Sequence, residues 1–364
     1  MMGILVLLIW LYLFLAHGRF WLSRPELPAA LPAEFPDVDV IVPARDEAAT
    51  IGPVMASLLA QDYRGRFRVT LVDDASTDGT AAQLTPAANL NVIRLQTKPA
   101  EWSGKLWALH QGVMAVDAPL LLFSDADIVH DSRHLASLVA KLEQSRADMV
   151  SEMVRLNCTS WAERALVPAF VYFFQMLYPF ARVNNPRSPV AAAAGGTVLI
   201  RREALQRSGG IEGIRNSLID DVALARAVKK SGAIFLGHSG LAVSIRRYEH
   251  FADIWHMIAR TAFTQLRHST GLLALTLLGM VLLWWIPVLL ALLGHGWQSI
   301  LALGAFALSA VSYLPTLTRY RRNYLWAAAL PLIALFYMAA TLGSAVNYWR
   351  GRGARWKSRA YGTG

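Results

Sequence analysis

The sequence predicts an α/β domain built on a doubly wound, mostly parallel sheet, with apolar membrane helices at the two ends of the chain. Three observations predict it. Short apolar runs alternate with helical stretches from Val38 to Phe123, the pattern of strands and crossover helices. Three of those runs stop abruptly in carboxylates. Stretches without Asp, Glu, Lys or Arg then open and close a 364-residue chain that is 55% hydrophobic, with a mean hydropathy of +0.36, too apolar for an ordinary soluble protein.

In chain order, the first element is Ile4 to Ala16, whose basic residues Arg19 and Arg24 follow the apolar core rather than precede it. That is the reverse of a cleavable secretory signal. The positive-inside rule places its N-terminus outside and the large domain in the cytoplasm, with a helix lying on the membrane as the alternative. Pro25, Pro28, Pro32 and Pro36 make the next segment a stiff spacer. Strands follow at Val38 to Val42, Val69 to Val72, Asn91 to Leu95 and Leu120 to Phe123, with helices at Thr50 to Ala60 and Gly104 to Val116. Leu166 to Phe180 and His250 to His268 carry aromatic stripes at roughly helical spacing, suited to the membrane interface or to core packing. Leu272 to Leu293, Ile300 to Leu317 and Leu325 to Val346 each approach the roughly 20 residues that cross a hydrocarbon core. Three full spans would put the Arg-rich tail outside, against the charge rule. A cytoplasmic tail is expected, with one stretch, that interrupted by Pro287 or by Pro331, re-entrant or interfacial.

The net charge of +10 gathers beside these stretches, at Arg246, Arg247, Arg260 and Arg267, at Arg319, Arg321 and Arg322, and from Arg350 to Arg359. Such clusters attract anionic lipid headgroups, and no nucleic-acid recognition element accompanies them. A single cysteine, Cys158, excludes an intrachain disulfide and a cysteine-rich zinc site.

In an open α/β sheet, ligands bind at the carboxyl ends of the strands, so functional side chains should follow each apolar run. Strand ends here read Pro43-Ala44-Arg45-Asp46-Glu47, Asp73-Asp74-Ala75-Ser76-Thr77-Asp78-Gly79 and Ser124-Asp125-Ala126-Asp127. Acidic strand ends on one edge repel unless a cation, or the donors of a base and ribose, engage them. Asp125 and Asp127 offer hard oxygen ligands to a divalent ion carrying a diphosphate, the arrangement nucleotide-sugar chemistry needs. Gly195 and Gly196, before Val198 to Ile200, suit close backbone approach to a ligand or tight packing. Asp220-Asp221 opens a helix to Lys230, where acids are favoured by the helix dipole, and where a carboxylate can also take a proton from an attacking hydroxyl. No Gly-x-Gly-x-x-Gly follows the first strand, and Gly104-Lys105 lacks the rest of a P-loop. His130 and His134 have helical spacing but not a zincin's glutamate, and are expected to decorate a helix.

In ordered combination these segments resemble a membrane-associated family 2 glycosyltransferase of the GT-A fold. The resemblance covers nearly the whole chain. It implies that Pro43, Ala44, Arg45 and Glu47, the acidic turn at Asp73 and Asp74, Lys105, Asp125, Gly195, Gly196 and Arg260 bind the nucleotide sugar. It further implies that Asp127 and Asp125 bind Mg²⁺ or Mn²⁺, and that Asp221, beside Asp220, is the general base. The nearest likeness is to hopanoid-biosynthesis-associated glycosyltransferases, carried by Leu218-Ile219-Asp220-Asp221, Trp255 to Leu266 and Trp356 to Tyr361, with looser similarity to ceramide and carotenoid glycosyltransferases. Polysaccharide synthases carry Gln-x-x-Arg-Trp where this chain has Met257-Ile258-Ala259-Arg260-Thr261, which weakens the case for polymer synthesis.

The expected organisation is an anchor at 1–23, a spacer at 24–36, a cytoplasmic GT-A catalytic domain at 37–249, an interfacial helix at 250–270, transmembrane segments at 271–348 and a basic tail at 349–364. The expected activity is inverting transfer from a UDP-sugar to a hopanoid or polyprenoid-like lipid at the cytoplasmic face of a cell inner membrane. A polysaccharide synthase and a non-catalytic membrane scaffold with a degenerate transferase domain are the competing readings.

Overall fold

The computed structural model describes residues 1–352 and the antiparallel strand pair Arg355–Trp356 and Arg359–Ala360. Lys357, Ser358 and Tyr361 of the tail motif lie outside the described residues. The chain divides into two compact units. One contains 25–157 and 182–246; the other contains 1–24, 158–181 and 247–352.

The first unit is a nine-stranded mixed sheet. Its strands are β1 (Glu26–Leu27), β2 (Val38–Ala44), β3 (Phe67–Asp74), β4 (Leu90–Leu95), β5 (Leu120–Ser124), β6 (Ile128–His130), β7 (Met149–Arg155), β8 (Thr197–Arg201) and β9 (Ile234–Ser244), in the order β1-β9-β7-β8-β5-β2-β3-β4, with β6 on β9. Every residue of β2 and β5 is buried, which is why both read as continuous apolar runs rather than alternating ones. Asp39, inside β2, is satisfied by the backbone N–H groups of Asp117 and Ala118 at 3.1 and 2.8 Å.

Two features of the sheet create the site. From β2 the chain proceeds to β3 and β4 on one side, then to β5 on the other, so the strand order reverses at β2 and a crevice opens beyond the strand ends. The β2–β5 register stops at Ile41↔Phe123, while β2–β3 continues to Ala44↔Asp73. Pro43, which has no N–H to give a ladder, sits just past the point where β5 has parted. Because β8 runs antiparallel to β5, pairing Thr197 with Ser124, the Gly195-Gly196 segment before β8 arrives beside the end of β5.

The second unit is helical. Trp161–Val183, Thr270–Leu293, Trp297–Arg319 and Leu330–Trp349 are long and apolar enough to cross a membrane. Two of the apolar helices bear on the expected spans. Met2–Leu15 has 14 residues, about 21 Å of helix against a roughly 30 Å hydrocarbon core, and is too short to span it upright. Trp161–Val183 takes its place by length, yet β8 and β9, which follow it, pair with β5 and β7, which precede it. A single crossing there would put paired strands on opposite faces of the membrane, so this helix does not carry the chain across.

Packing within this unit explains the aromatic stripe of that helix. Tyr172 is fully buried and its hydroxyl pairs with Ser312 Oγ at 2.7 Å, while Tyr337 donates to the Leu166 carbonyl at 2.9 Å. Glu163, also fully buried, closes a capping box with Ser160 and accepts from the backbone N–H of Tyr248 at 2.7 Å. Pro331 stands in the first turn of Leu330–Trp349, where its missing N–H costs nothing; it starts that helix rather than interrupting it.

Candidate active site

The turns after β2 and β3 are sewn to each other. Asp46 donates its N–H to Ser76 Oγ at 3.0 Å and accepts from the Thr77 N–H at 2.8 Å; Glu47 donates to Thr80 Oγ1 at 2.9 Å, and Ala48 to Asp78 at 2.8 Å. Asp46 and Ala75 hold positive φ values of 50° and 52°, a left-handed backbone that side chains disfavour and that the cross-links maintain. Asp73 accepts from the Ser76 N–H at 3.0 Å. Arg45 donates to the Asp74 carbonyl and lies 3.7 Å from its carboxylate, which is fully buried. The Asp/Ser/Gly turn is therefore a self-bonded turn tied to the turn that follows β2.

Lys105 joins the other strand end to the Asp220 helix. It stands in the first turn of Gly104–Met114, the wrong end of a helix dipole for a cation, and Ser103 caps that helix. What holds the ammonium there is a pair of carboxylates, Asp125 at 2.9 Å and Asp220 at 3.1 Å. Burial works against its charge, but Asp125 and Asp220 outweigh burial and keep Lys105 well above the ordinary lysine range. Asp220 and Asp221 open the helix Asp220–Lys229. Burial first, then the charge of Asp220, pushes the Asp221 carboxyl up to about 7 despite Lys105. Burial also raises Asp125, with Lys105 opposing it and Asp127 adding to the rise.

The glycines are explained by close approach. A Cβ at Gly195 would meet the Asp221 carboxylate at 3.3 Å, and one at Gly196 would meet Val154 at 3.2 Å. The Gly196 carbonyl accepts from the Asp125 N–H at 3.1 Å, so this segment also fixes the turn that carries both carboxylates. Pro43, Lys105, Ser124, Asp125, Gly195 and Asp221 together line a cleft at the strand-order reversal.

Asp127 is held differently. Its Oδ2 accepts from Arg246 Nε at 2.7 Å and from Ser244 Oγ at 3.3 Å, and Arg246 Nη2 reaches Glu47 at 2.9 Å. Arg246 was expected in a lipid-facing basic cluster, and the structure corrects this: its guanidinium pairs with two carboxylates at the strand ends. Arg260, expected to meet the diphosphate, is exposed on Phe251–Gln265 in the helical unit.

The histidines also correct an expectation. His130 ends β6 and His134 begins the helix His134–Gln144, both buried. Ser124 Oγ lies 2.9 Å from His130 Nε2, the two histidine Nδ1 atoms are 2.9 Å apart, and His134 Nε2 meets the fully buried Glu152. Burial, reinforced by His134, depresses His130 well below the usual imidazole value and keeps it neutral. The four-residue spacing straddled a strand and a helix.

Among the described residues no cluster of three or more His, Cys, Asp or Glu side chains is arranged to hold a metal unaided. Around the strand ends Asp125 and Asp220 share Lys105, and Glu47 and Asp127 share Arg246, so each cation faces two carboxylates. Two carboxylates at one strand end suit a divalent ion that completes its shell with phosphate oxygens and water.

Residues 39–209 match the sequence family described as glycosyl transferase family 2. Those residues are just under half of the chain, and the sheet they build resembles a family 2 glycosyltransferase domain. An N-acetylglucosaminyltransferase of Azorhizobium caulinodans is 31% identical over 143 residues, covering 38% of this chain and 35% of that protein. Another, from Neorhizobium galegae, is 38% identical over 190 residues, 50% of this chain and 42% of that protein. The chain therefore spans less than half the length of these curated relatives. A mannosyltransferase from Pyrobaculum calidifontis, solved with GDP-mannose and Mn²⁺, superposes with a TM-score of 0.57 at 20% identity, covering 95% of this chain and 99% of that one. At that identity the likeness is one of fold, and it places the transferase domain in the GT-A type.

Proposed function

We propose that this chain is an inverting glycosyltransferase that moves a sugar from a UDP-sugar to a hopanoid or polyprenoid-like lipid, with its catalytic domain on the cytoplasmic face of a cell inner membrane. The observation that carries the chemistry is the Lys105 bridge, which ties the Asp125 strand end to the helix bearing Asp220 and Asp221. A donor site and a proton acceptor thereby share one cleft. The two curated relatives described above are N-acetylglucosaminyltransferases, and the fold neighbour was solved with a nucleotide sugar and Mn²⁺, which supports a nucleotide-diphosphate donor and a divalent ion.

In this mechanism Glu47 and the Asp73–Asp74 turn face the nucleoside, while Gly195 and Gly196 let the donor approach the backbone. Asp127 and Asp125 would hold Mg²⁺ or Mn²⁺, which when bound neutralises charge on the departing diphosphate. Lys105 adds positive charge on the same side. Asp221, with its proton affinity near neutrality, takes the proton from the acceptor hydroxyl as that oxygen attacks the anomeric carbon from the face opposite the leaving group. The lipid acceptor is supported by the apolar helices carried on the same chain and by the loss of the polysaccharide-synthase Gln and Trp.

The test is to incubate membranes containing the protein with a panel of labelled UDP- and GDP-sugars and extracted lipids. Metal-dependent label in a lipid extract from one UDP-sugar supports the proposal. Label in a polymer formed without added lipid would mean a polysaccharide synthase, and no label in either fraction would contradict transfer altogether.

A further inference from the structure

Arg246 lies just beyond β9 and makes two ion pairs at once, to Asp127 Oδ2 at 2.7 Å and to Glu47 Oε1 at 2.9 Å. Neither pairing is incidental to the local backbone. The Ile245 N–H donates to the Asp127 carbonyl at 2.8 Å, and Ser244 Oγ both donates to Asp127 Oδ2 at 3.3 Å and accepts from the Arg246 N–H at 3.3 Å. The strand end is thus clamped around this one aspartate, with the guanidinium laid across the gap to β2. The carboxylates are largely enclosed, 10% exposed for Asp127 and 11% for Glu47, whereas the Arg246 side chain is 38% exposed.

From this geometry we infer that Arg246 is a built-in counter-ion for the donor site, a positioning residue that makes binding of the divalent ion depend on binding of the nucleotide. The inference rests on the donor-site reading above. In the free protein the guanidinium offsets part of the charge on the two carboxylates that would otherwise draw a cation. A divalent ion arriving alone must compete with a fixed, permanently charged neighbour and gains only two protein oxygens. A nucleoside diphosphate changes both terms: its phosphates supply further ligands, and their charge gives the guanidinium a new partner when it leaves Asp127. The two ligands then bind with positive coupling, and by linkage each tightens the other by the same factor.

Removing the guanidinium should uncouple them. The experiment is titration of detergent-solubilised full-length protein with Mn²⁺, followed by electron paramagnetic resonance, with and without UDP. For the wild type, Mn²⁺ should bind weakly alone and at least about tenfold more tightly with UDP, within the ordinary range of site couplings. Arg246→Gln should bind Mn²⁺ alone about tenfold more tightly than wild type and show little further gain from UDP. Arg246→Lys, which keeps the charge but cannot bridge two carboxylates with a planar fork, should fall between them.

Unchanged or weaker Mn²⁺ binding to Arg246→Gln without nucleotide overturns the inference, provided circular dichroism shows wild-type helix content. Arg246→Lys decides the case if the glutamine variant misfolds, since a value equal to wild type would also overturn it. Failure of wild-type protein to bind Mn²⁺ even with UDP would instead remove the donor-site reading, and this inference with it.

Discussion

The two carboxylates of Asp125-Ala126-Asp127 are one residue apart in sequence, yet they belong to different halves of the site. Asp125 meets Lys105 and, through it, Asp220 and the raised Asp221. Asp127 meets Arg246 and, through it, Glu47 at the end of β2. The first half links the strand end to the proposed proton acceptor; the second links it to the proposed nucleotide-binding turns. The difference teaches that the motif is a junction. A change on the Asp125 side should disturb chemistry and its pH dependence, and a change on the Asp127 side should disturb ligand binding.

The largest expected effect is on the Asp125 side. Asp221→Asn should lower kcat by about 10³-fold, the scale of a lost general base, with KM for the donor near the wild-type value. Steady-state label transfer checks this, and an equal loss in nucleotide affinity would move Asp221 to the binding half. Next comes Lys105→Gln, which strands Asp125 and Asp220 beside each other. Breaking a largely enclosed ion cluster from one side should cost about 3 kcal/mol in thermal unfolding.

The same variant tests the pH dependence. Asp221 is raised above its ordinary value, so in the wild type its contribution to stability is fully present below about 4, the ordinary carboxylate range, and is lost as pH rises through about 7. With Asp221 as the proposed base, its deprotonated form appears over that same rise, so kcat/KM should show an acidic limb near 7. Loss of the Lys105 charge should move the limb to higher pH; an unmoved limb would break the link between the two residues.

A smaller effect is expected from the histidine chain behind Ser124. His134→Ala leaves Glu152 buried without its partner and should cost about 2 kcal/mol in unfolding free energy. Glu152→Gln, which keeps a hydrogen-bonding group at that place, should cost about 1 kcal/mol. If both variants also alter donor KM, the core chain positions the Asp125 half; if stability alone changes, it does not.

How far the sequence disclosed these halves follows from chain separation. The ends of β2, β3 and β5 were legible because each is a largely buried strand, whose apolar run must stop where polar groups begin. Asp220-Asp221 showed itself as an acidic first turn, and Gly195-Gly196 as a small-residue stretch before an apolar run. Arg246 was not legible: it lies 119 residues from Asp127, and beside Arg247 and the apolar helices it looks like part of a juxtamembrane cluster. A signal existed, since β9 is also an apolar run and Arg246 falls just past its end, as the strand-end rule would have required. His130 and His134 misled for another reason. Spacing of four reads as one helical face, whereas a turn separates the strand holding one from the helix holding the other.

If this cleft transfers sugar with Asp221 as the base, a single turnover must separate wild type from Asp221→Asn. Purified protein in lipid vesicles is preloaded with labelled UDP-sugar and Mn²⁺, then mixed with the lipid acceptor. The account predicts rapid appearance of label in lipid for the wild type and, for Asp221→Asn, normal donor binding with label still on the nucleotide. Transfer to lipid by Asp221→Asn at the wild-type rate would contradict it.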